Sequence, residues 1–526
     1  MKYTILLCLF GLAFGQLDPN WRITDQCQRN VDVAVIGAGA TGSYAAYMLK
    51  DKNLAVEVVE MSNSIGGRHL TAYMPGAPDV PVELGQRAYA DIHDIMQKIV
   101  PELGLTPLEF PEALGIQGSR RYFLRGKNIK EEEIISGIQL PYTLTPEEKQ
   151  NQGRIVQHYY KKLTGLELTQ KLSMPERLQV KVIKTNRPLH EHKLDEALDL
   201  VASPEGKEFF KAIVKGKWSL SEDASAWLPF GFEMDYNRDN TTFYRVKEGM
   251  DAIPKKLIEK FTNVSPRNVM TFNRKVEAIQ RFQNMTYILK LKETKTVDGR
   301  TFELGPEEFL CAQQIILAIP KHSLEHLQWS VTKDYKNREA LKALRTVPQV
   351  QVAMTFTYPF WQATANEKAK VKFTDTILGS AHDLGASNNK YILLASLNYG
   401  EQVRQIERLN LQGNSTSGSA QGVYQVSEVL KDTLLDILSK MYDVSRDKMI
   451  QPVYSVSKIW TLPPHTGGLT VWRAGYNYED VRKVLLRPSI VDKVFIATPD
   501  IAFGARQAWT EGGLIDVQSI ISTYFQ

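Results

Sequence analysis

Residues 31–68 read VDVAVIGAGATGSYAAYMLKDKNLAVEVVEMSNSIGGR. An apolar run, Val31 to Ile36, enters Gly37-x-Gly39-x-x-Gly42, a helical segment follows, and a second apolar run, Val56 to Val59, ends at Glu60. Strand, glycine turn, helix and strand in that order predict a βαβ unit that holds a dinucleotide. Gly37 permits the tight turn out of the strand, Gly39 lets the backbone approach a pyrophosphate, and Gly42 lets the helix pack against the strand. The helix N-terminus then turns unpaired N–H groups and its positive dipole end toward the phosphates. Glu60 stands where an acidic side chain accepts hydrogen bonds from both hydroxyls of an adenosine ribose. Its charge would repel a 2′-phosphate, which disfavours NADP.

Gly66-Gly67-Arg68, directly after the second strand, resembles the GG motif of the FAD-dependent amine oxidase superfamily. The resemblance continues in family order through Glu83-Leu84-Gly85, Lys247 to Pro254 (KEGMDAIP), Val276 to Ile279, Ile315 to Pro320, Val494 to Ala497 and Trp509 to Gly513. It implies FAD as cofactor and an α/β fold. A Rossmann-like, GR2-type FAD-binding domain would be assembled from residues 31–90, 243–320 and 453–526, with an α+β substrate-binding domain from 91–242 and 321–452. The same resemblance puts Gly67 and Arg68 at the pyrophosphate and flavin ring, Val276 at the adenine, and Asp500 at the ribityl chain or pyrophosphate. Trp509 matches an aromatic wall of the substrate pocket, and Trp460 and Trp472 lie in the region that packs on the flavin from the other side.

The 526 residues suffice for a large two-domain flavoenzyme. With 43% hydrophobic and 23% charged residues the composition is that of a globular chain, and disorder is not indicated. A net charge of +5, without a dense basic cluster, gives no case for nucleic acid. Residues 1–15 read as a secretory signal peptide: Lys2, an apolar core from Ile5 to Phe14, and small Ala13 and Gly15 before the cut. That core is too short to span a bilayer, and no other stretch is long and apolar enough, so a secreted protein without a membrane span is expected. Asn240, Asn263, Asn284 and Asn414 head N-x-S/T sequons, with Asn263 the poorest because Pro266 follows its Ser265. After cleavage Cys27 and Cys311 remain. An oxidising compartment permits one bridge between them, which the spacing neither requires nor forbids. No His, Cys, Asp and Glu spacing suggests a metal. A homodimer is compatible with the sequence and not specified by it.

Between the nucleotide-binding pieces, Asp91 to Val100, Glu147 to Leu163 and Leu194 to Val214 carry apolar residues at helical spacing, with Thr145 as N-cap of the second. Val350 to Thr357 reads as a strand, Val426 to Met441 as an amphipathic helix, and Gln412 to Gly422 as an exposed loop.

The resemblance implies hydride abstraction from a carbon beside an amine nitrogen, with oxygen then reoxidising the flavin to give peroxide. Two positions depart from the pattern. Counting back from Pro359-Phe360-Trp361, the lysine that the family uses to hold a water against the flavin is Gln351, which lacks the positive charge. The arginine by which L-amino-acid oxidases hold the substrate carboxylate falls at Ala88, with Arg87 one residue earlier. On a strand, that shift would turn Arg87 to the opposite face. The candidate catalytic residues are therefore Gln351, Trp509 and Arg87. The leading activity is oxidation of an amine or amino acid with peroxide release. The alternative is a double-bond isomerase of polyunsaturated fatty acids, in which Arg87 or His93 would meet the carboxylate and Gln351 would be tolerated. His93 itself reads as a helix-surface histidine.

Overall fold

The computed structural model describes residues 27–110, 120–170, 172–214, 222–236, 241–282, 286–297, 300–362, 370–411, 417–419, 423–462 and 467–525. The signal peptide, Asn240, Asn284, Asn414 and most of the 412–422 loop lie outside them. Asn263 is exposed at the end of the helix Ala252–Thr262.

The opening motif folds as β1 (Arg29–Ile36), α1 (Ala40–Leu49) and β2 (Val56–Val59). After a long excursion the chain returns as β3 (Asn268–Thr271), parallel to β2. An antiparallel trio follows: β4 (Arg274–Arg281), β5 (Tyr287–Val297) and β6 (Arg300–Leu317). β6 has 18 residues because it serves three neighbours. Its first part pairs antiparallel with β5, and Leu310 to Leu317 runs parallel to β1. β7 (Val494–Ile496) adds parallel to the end of β6. The parallel order is β3-β2-β1-β6-β7.

Why the strands of this sheet read as unbroken apolar runs follows from burial on both faces. Val33, Val35, Val56, Val58, Ile316 and Phe495 pack with α1 and with α2 (Thr510–Tyr524), while Ala34, Ile36, Val59, Ile315 and Leu317 face a second core. A nine-stranded sheet stands beyond it, with Gln349–Phe356 between Tyr454–Ile459 and Lys390–Tyr399. The strand period of two divides Gln349–Phe356 cleanly. Val350, Val352, Met354 and Phe356 pack on Leu430, Leu434 and Leu438 of the helix Glu428–Met441, and Ala353 faces the hairpin around Thr71–Glu83.

The helical stretch expected from Glu147 to Leu163 is broken. Thr145 caps Pro146–Gln150, its hydroxyl accepting from the Glu148 N–H at 3.2 Å, but a 3₁₀ turn at Gln152–Arg154 precedes Ile155–Thr164. The buried Gln152 amide donates to the carbonyls of Ile134 and Ile138, and a Cβ at Gly153 would stand 2.9 Å from Ile135 Cα. Tertiary contact overrides the periodic pattern there.

Cys27 and Cys311 are bonded, fastening the chain beside the start of β1 to β6. Cross-linking residues 284 apart removes about 5 kcal/mol of loop-closure entropy from the unfolded chain. The double variant Cys27→Ser, Cys311→Ser is expected to melt about 5 °C lower in calorimetry. An unchanged melting temperature would show that the bond adds nothing to stability. Among the described residues no helix is long and apolar enough to cross a membrane.

Candidate functional site

A cavity of about 840 Å³ opens where the parallel strands end, which is where open α/β sheets hold their ligands. One wall is Ile36, Val59, Ile319 and Thr498, and the other comes from the nine-stranded sheet through Gln349, Ser380, His382, Tyr399 and Trp460.

Two glycine turns meet at one end. Gly37 has φ +98°, and a Cβ there would lie 2.8 Å from the Ala318 carbonyl oxygen. A Cβ on Gly42 would come within 1.9 Å of the Gly37 carbonyl oxygen, so α1 can approach its own turn only with glycine at this position. Gly39 is different. The nearest atoms to a Cβ there are the Gly66 oxygen at 3.8 Å and Gly67 Cα at 3.9 Å, and Gly39 lines the cavity, so a side chain would extend into it. Gly67, at φ +58°, faces Gly39 across the same gap. α1 has neither a side-chain cap nor an acidic residue in its first turn, so its N-terminal partial charge is left for a ligand anion.

Glu60 follows β2 at the cavity wall. Its carboxylate accepts from the Ala38 N–H at 2.8 Å, and from the Ser62 N–H and hydroxyl at 2.9 and 2.8 Å. These bonds aim it and leave one acceptor site, on Oε2, for a hydroxyl donor. Val276 and Arg68 also line the cavity. Asp500, expected in direct contact with the cofactor, stands one layer back. It is not in the cavity wall, one of its oxygens pairs with Arg68 at 2.7 Å, and the other accepts from the Lys321 N–H at 2.9 Å. Its two fixed partners make it the support of Arg68.

His69 lines the same region and is buried. Its Nδ1–H donates to the Met250 carbonyl at 3.0 Å, which leaves Nε2 to accept from the Thr510 hydroxyl at 2.7 Å. Burial pulls it down to about 4, so it is neutral.

Residues 84–88, whose Gln86 N–H donates to the Arg68 carbonyl at 3.0 Å, form a loop rather than a strand, so the reversal expected of a strand does not apply to Arg87. Arg87 and Ala88 both line the cavity. Among the described residues Arg87 makes no ion pair with a carboxylate. Its Nη2 donates to His382 Nδ1 at 3.3 Å, and its guanidinium lies 5.5 Å from the Phe110 ring centre. Burial draws Arg87 down to about 10, with Tyr399 and Glu83 working against the shift. His382 is 2% exposed, with Nε2 2.9 Å from the Ser380 hydroxyl. Burial, then Arg87, hold it well below the usual histidine range. Burial raises the Tyr399 phenol to about 12, against the pull of Arg87.

Trp509 lines the cavity and stacks on Tyr236 at 5.1 Å. His93 is not on the surface. It is 1% exposed, its Nδ1 accepts from the Ala90 N–H at 3.1 Å, and its Nε2–H donates to the Tyr236 hydroxyl at 3.0 Å. It precedes the helix Asp94–Glu102, whose Ile95 and Met96 N–H groups are accepted by Glu511 of α2, and this cap draws His93 inward.

Gln351 is fully buried but does not reach the cavity. Its amide donates to the Gly85 carbonyl at 3.2 Å, and its Oε1 has no partner among the described residues. Gln349, two residues earlier on the same face, is the glutamine in the wall. The charge missing at position 351 lies directly across the strand pair, at Lys458. That buried ammonium is 4.8 Å from the Trp460 ring centre, and burial lowers it to about 7. Trp460 is in the cavity wall, its Nε1–H donating to the Leu84 carbonyl at 2.8 Å. Trp472 is not. It stacks on Tyr478 at 4.9 Å and donates to the Ala502 carbonyl.

The sequence reading missed Gln349, Ser380, His382 and Tyr399. They sit in strands without a motif, and nothing in the local pattern sets them apart from core residues.

Comparison with known proteins fits this geometry. The family model for flavin containing amine oxidoreductase matches residues 41–514. Aplysianin-A of Aplysia kurodai is 36% identical over 509 residues, covering 95% of this chain and 91% of that protein. An L-amino-acid oxidase of Bungarus fasciatus is 22% identical over 533 residues, with 94% and 91% covered. Among solved structures, putrescine oxidase bound to putrescine superposes with a TM-score of 0.67 at 15% identity, covering 94% of this chain and 99% of that one.

Proposed function

The chain belongs to the flavin-containing amine oxidoreductase family, with FAD as its cofactor, and we propose that it oxidises an α-amino acid with release of peroxide. The observation that carries the substrate class is Arg87, a cavity-lining guanidinium with no carboxylate partner. A buried cation with no carboxylate ion pair among the described residues favours an anionic ligand. A likeness to an L-amino-acid oxidase over 94% of the chain, at 22% identity, points the same way. The relatives found lend no support to a fatty-acid isomerase.

The residues fit FAD. Gly37, Gly39 and Gly67 and the amides opening α1 would take the pyrophosphate, Glu60 the adenosine ribose, and Val276 the adenine end. This assignment makes the β1–β7 sheet a GR2-type FAD-binding domain, built from residues 31–90, 243–320 and the C-terminal part of 453–526; the expected boundary at 453 falls too early, because Tyr454–Ile459 pairs with Gln349–Phe356 in the nine-stranded sheet. Residues 91–242 and 321–452 then form the substrate-binding domain. Bound FAD supplies the two-electron acceptor. The chain's part is to hold the substrate carboxylate on Arg87, with the Tyr399 phenol as a further donor, so that the α-carbon faces the flavin. Trp509 and Trp460 wall the pocket and exclude water. The net reaction converts R–CH(NH₂)–COO⁻ and O₂ to the imino acid and H₂O₂, after which water releases ammonia and the oxo acid. The Cys27–Cys311 bond and the signal-like residues 1–15 support secretion, and exposed Asn263 is open to a glycan.

Two measurements test this reading. Oxygen uptake and peroxide release should occur in equal amounts with at least one L-amino acid, and the matching decarboxylated amine should be turned over far more slowly. Equal rates for the two would remove the carboxylate from the account. Asp500→Asn, which frees Arg68, is expected to raise the FAD dissociation constant roughly tenfold, read by fluorescence of released flavin. Unchanged retention would make the Arg68–Asp500 pair irrelevant to the cofactor.

A further inference from the structure

We propose that His382, steadied by Ser380, is the positioning residue of the anion site. It fixes the Arg87 guanidinium without neutralising it. The inference rests on the reading of Arg87 as the carboxylate-holding group. An arginine in a partly dry site needs a hydrogen-bond partner to stay in one rotamer, and the usual partner is Asp or Glu. A carboxylate would also cancel the charge that the ligand has to meet. Here the partner is an imidazole, and three facts keep it uncharged. His382 is 2% exposed, its Nδ1 accepts from Arg87 at 3.3 Å, and Nε2 is left with the proton and donates to the Ser380 hydroxyl at 2.9 Å. A protonated ring would set a second cation against Arg87. Ser380 and His382 lie two apart on one strand, Ser380–Ser387, so both face the cavity and the relay is set by the pleat.

Arg87 is held on another side by the ring of Phe110, over which Arg245 also lies at 5.4 Å. Neither arginine has a carboxylate ion pair among the described residues. The neighbouring cation adds to the positive potential at Arg87, and a neutral His382 preserves it. The ligand class that this arrangement takes is a monocarboxylate whose oxygens meet the free edge of the Arg87 fork. His382 is not itself a catalytic residue in this account, since it acts through Arg87.

The probe is benzoate, a carboxylate that cannot be oxidised, titrated into the holoprotein while its visible flavin spectrum is followed. His382→Gln keeps a neutral acceptor for Arg87 and should bind benzoate within about threefold of the wild type. His382→Leu leaves Arg87 without a partner and should weaken binding roughly tenfold. His382→Asp supplies a fixed negative charge and should weaken it by about a hundredfold or more, although it retains a hydrogen bond. Melting temperature and resting flavin spectrum establish that each variant is folded. The order Gln, Leu, Asp supports the proposal, and rescue by Gln is a result that a purely structural role would not give. Equal benzoate affinity in all three variants would overturn it, as would a His382→Asp variant that binds as well as wild type. Arg87→Leu separates this from the underlying reading. If that variant keeps benzoate affinity, the carboxylate site itself is misplaced. If it loses affinity while the His382 variants do not, only the positioning role falls.

Discussion

Gly39→Leu is expected to give a folded, colourless protein. A Cβ at this position has no protein atom closer than 3.8 Å, so the apoprotein tolerates it, and the remaining side chain extends into the space between the two glycine turns. That space is where the backbone must come close to a pyrophosphate. Filling it should reduce FAD affinity by about 1,000-fold or more, roughly 4 kcal/mol. The visible flavin bands should be absent from the purified variant while its far-ultraviolet circular dichroism is kept. Gly42→Ala is the contrasting case. Its Cβ would meet the Gly37 carbonyl oxygen at 1.9 Å, which forces α1 away from β1 and damages the fold itself. A yellow Gly39→Leu protein with normal flavin content would remove this turn from the cofactor site.

Arg87→Leu is expected to lower kcat/KM for an amino acid by about three orders of magnitude, the size of effect for losing a charge-assisted contact in a desolvated site. Flavin content should stay normal, because the Arg87 side chain bonds His382 and not a residue assigned to the cofactor. Arg87→Lys should recover only part of the loss, since an ammonium lacks the planar fork that meets both carboxylate oxygens. Steady-state peroxide assays with an amino acid and with its decarboxylated amine check this. The amine should be nearly indifferent to the substitution. An amino-acid rate unaltered by Arg87→Leu would contradict the assignment.

The parts of this molecule that could be read from the sequence are those whose chemistry is local. The glycines of residues 37–42 carry a steric demand set by their own turn, and Glu60 follows its strand at a fixed distance, so both are legible in the sequence. Arg87 is a candidate in the sequence, but its direction is legible there only for a strand. Residues 84–88 make a loop, and a one-residue offset reverses a side chain only on a strand. Gln351 failed for a related reason. Counting residues along Gln349–Phe356 found the right face but not the depth, and the cavity reaches only Gln349. Asp500 was misjudged because its partners, Arg68 and Lys321, come from segments far away in sequence. His382 and Ser380 had no motif at all. Their significance exists only after the strand Ser380–Ser387 is laid beside the loop that carries Arg87.

An anaerobic spectral titration of the purified wild-type holoprotein tests the central claim most directly. Under argon, one L-amino acid from a panel should bleach the flavin band, and admitting air should restore it with release of peroxide. A flavin that stays oxidised against every amino acid and amine, while a polyunsaturated fatty acid gives conjugated-diene absorbance without oxygen, would contradict the account.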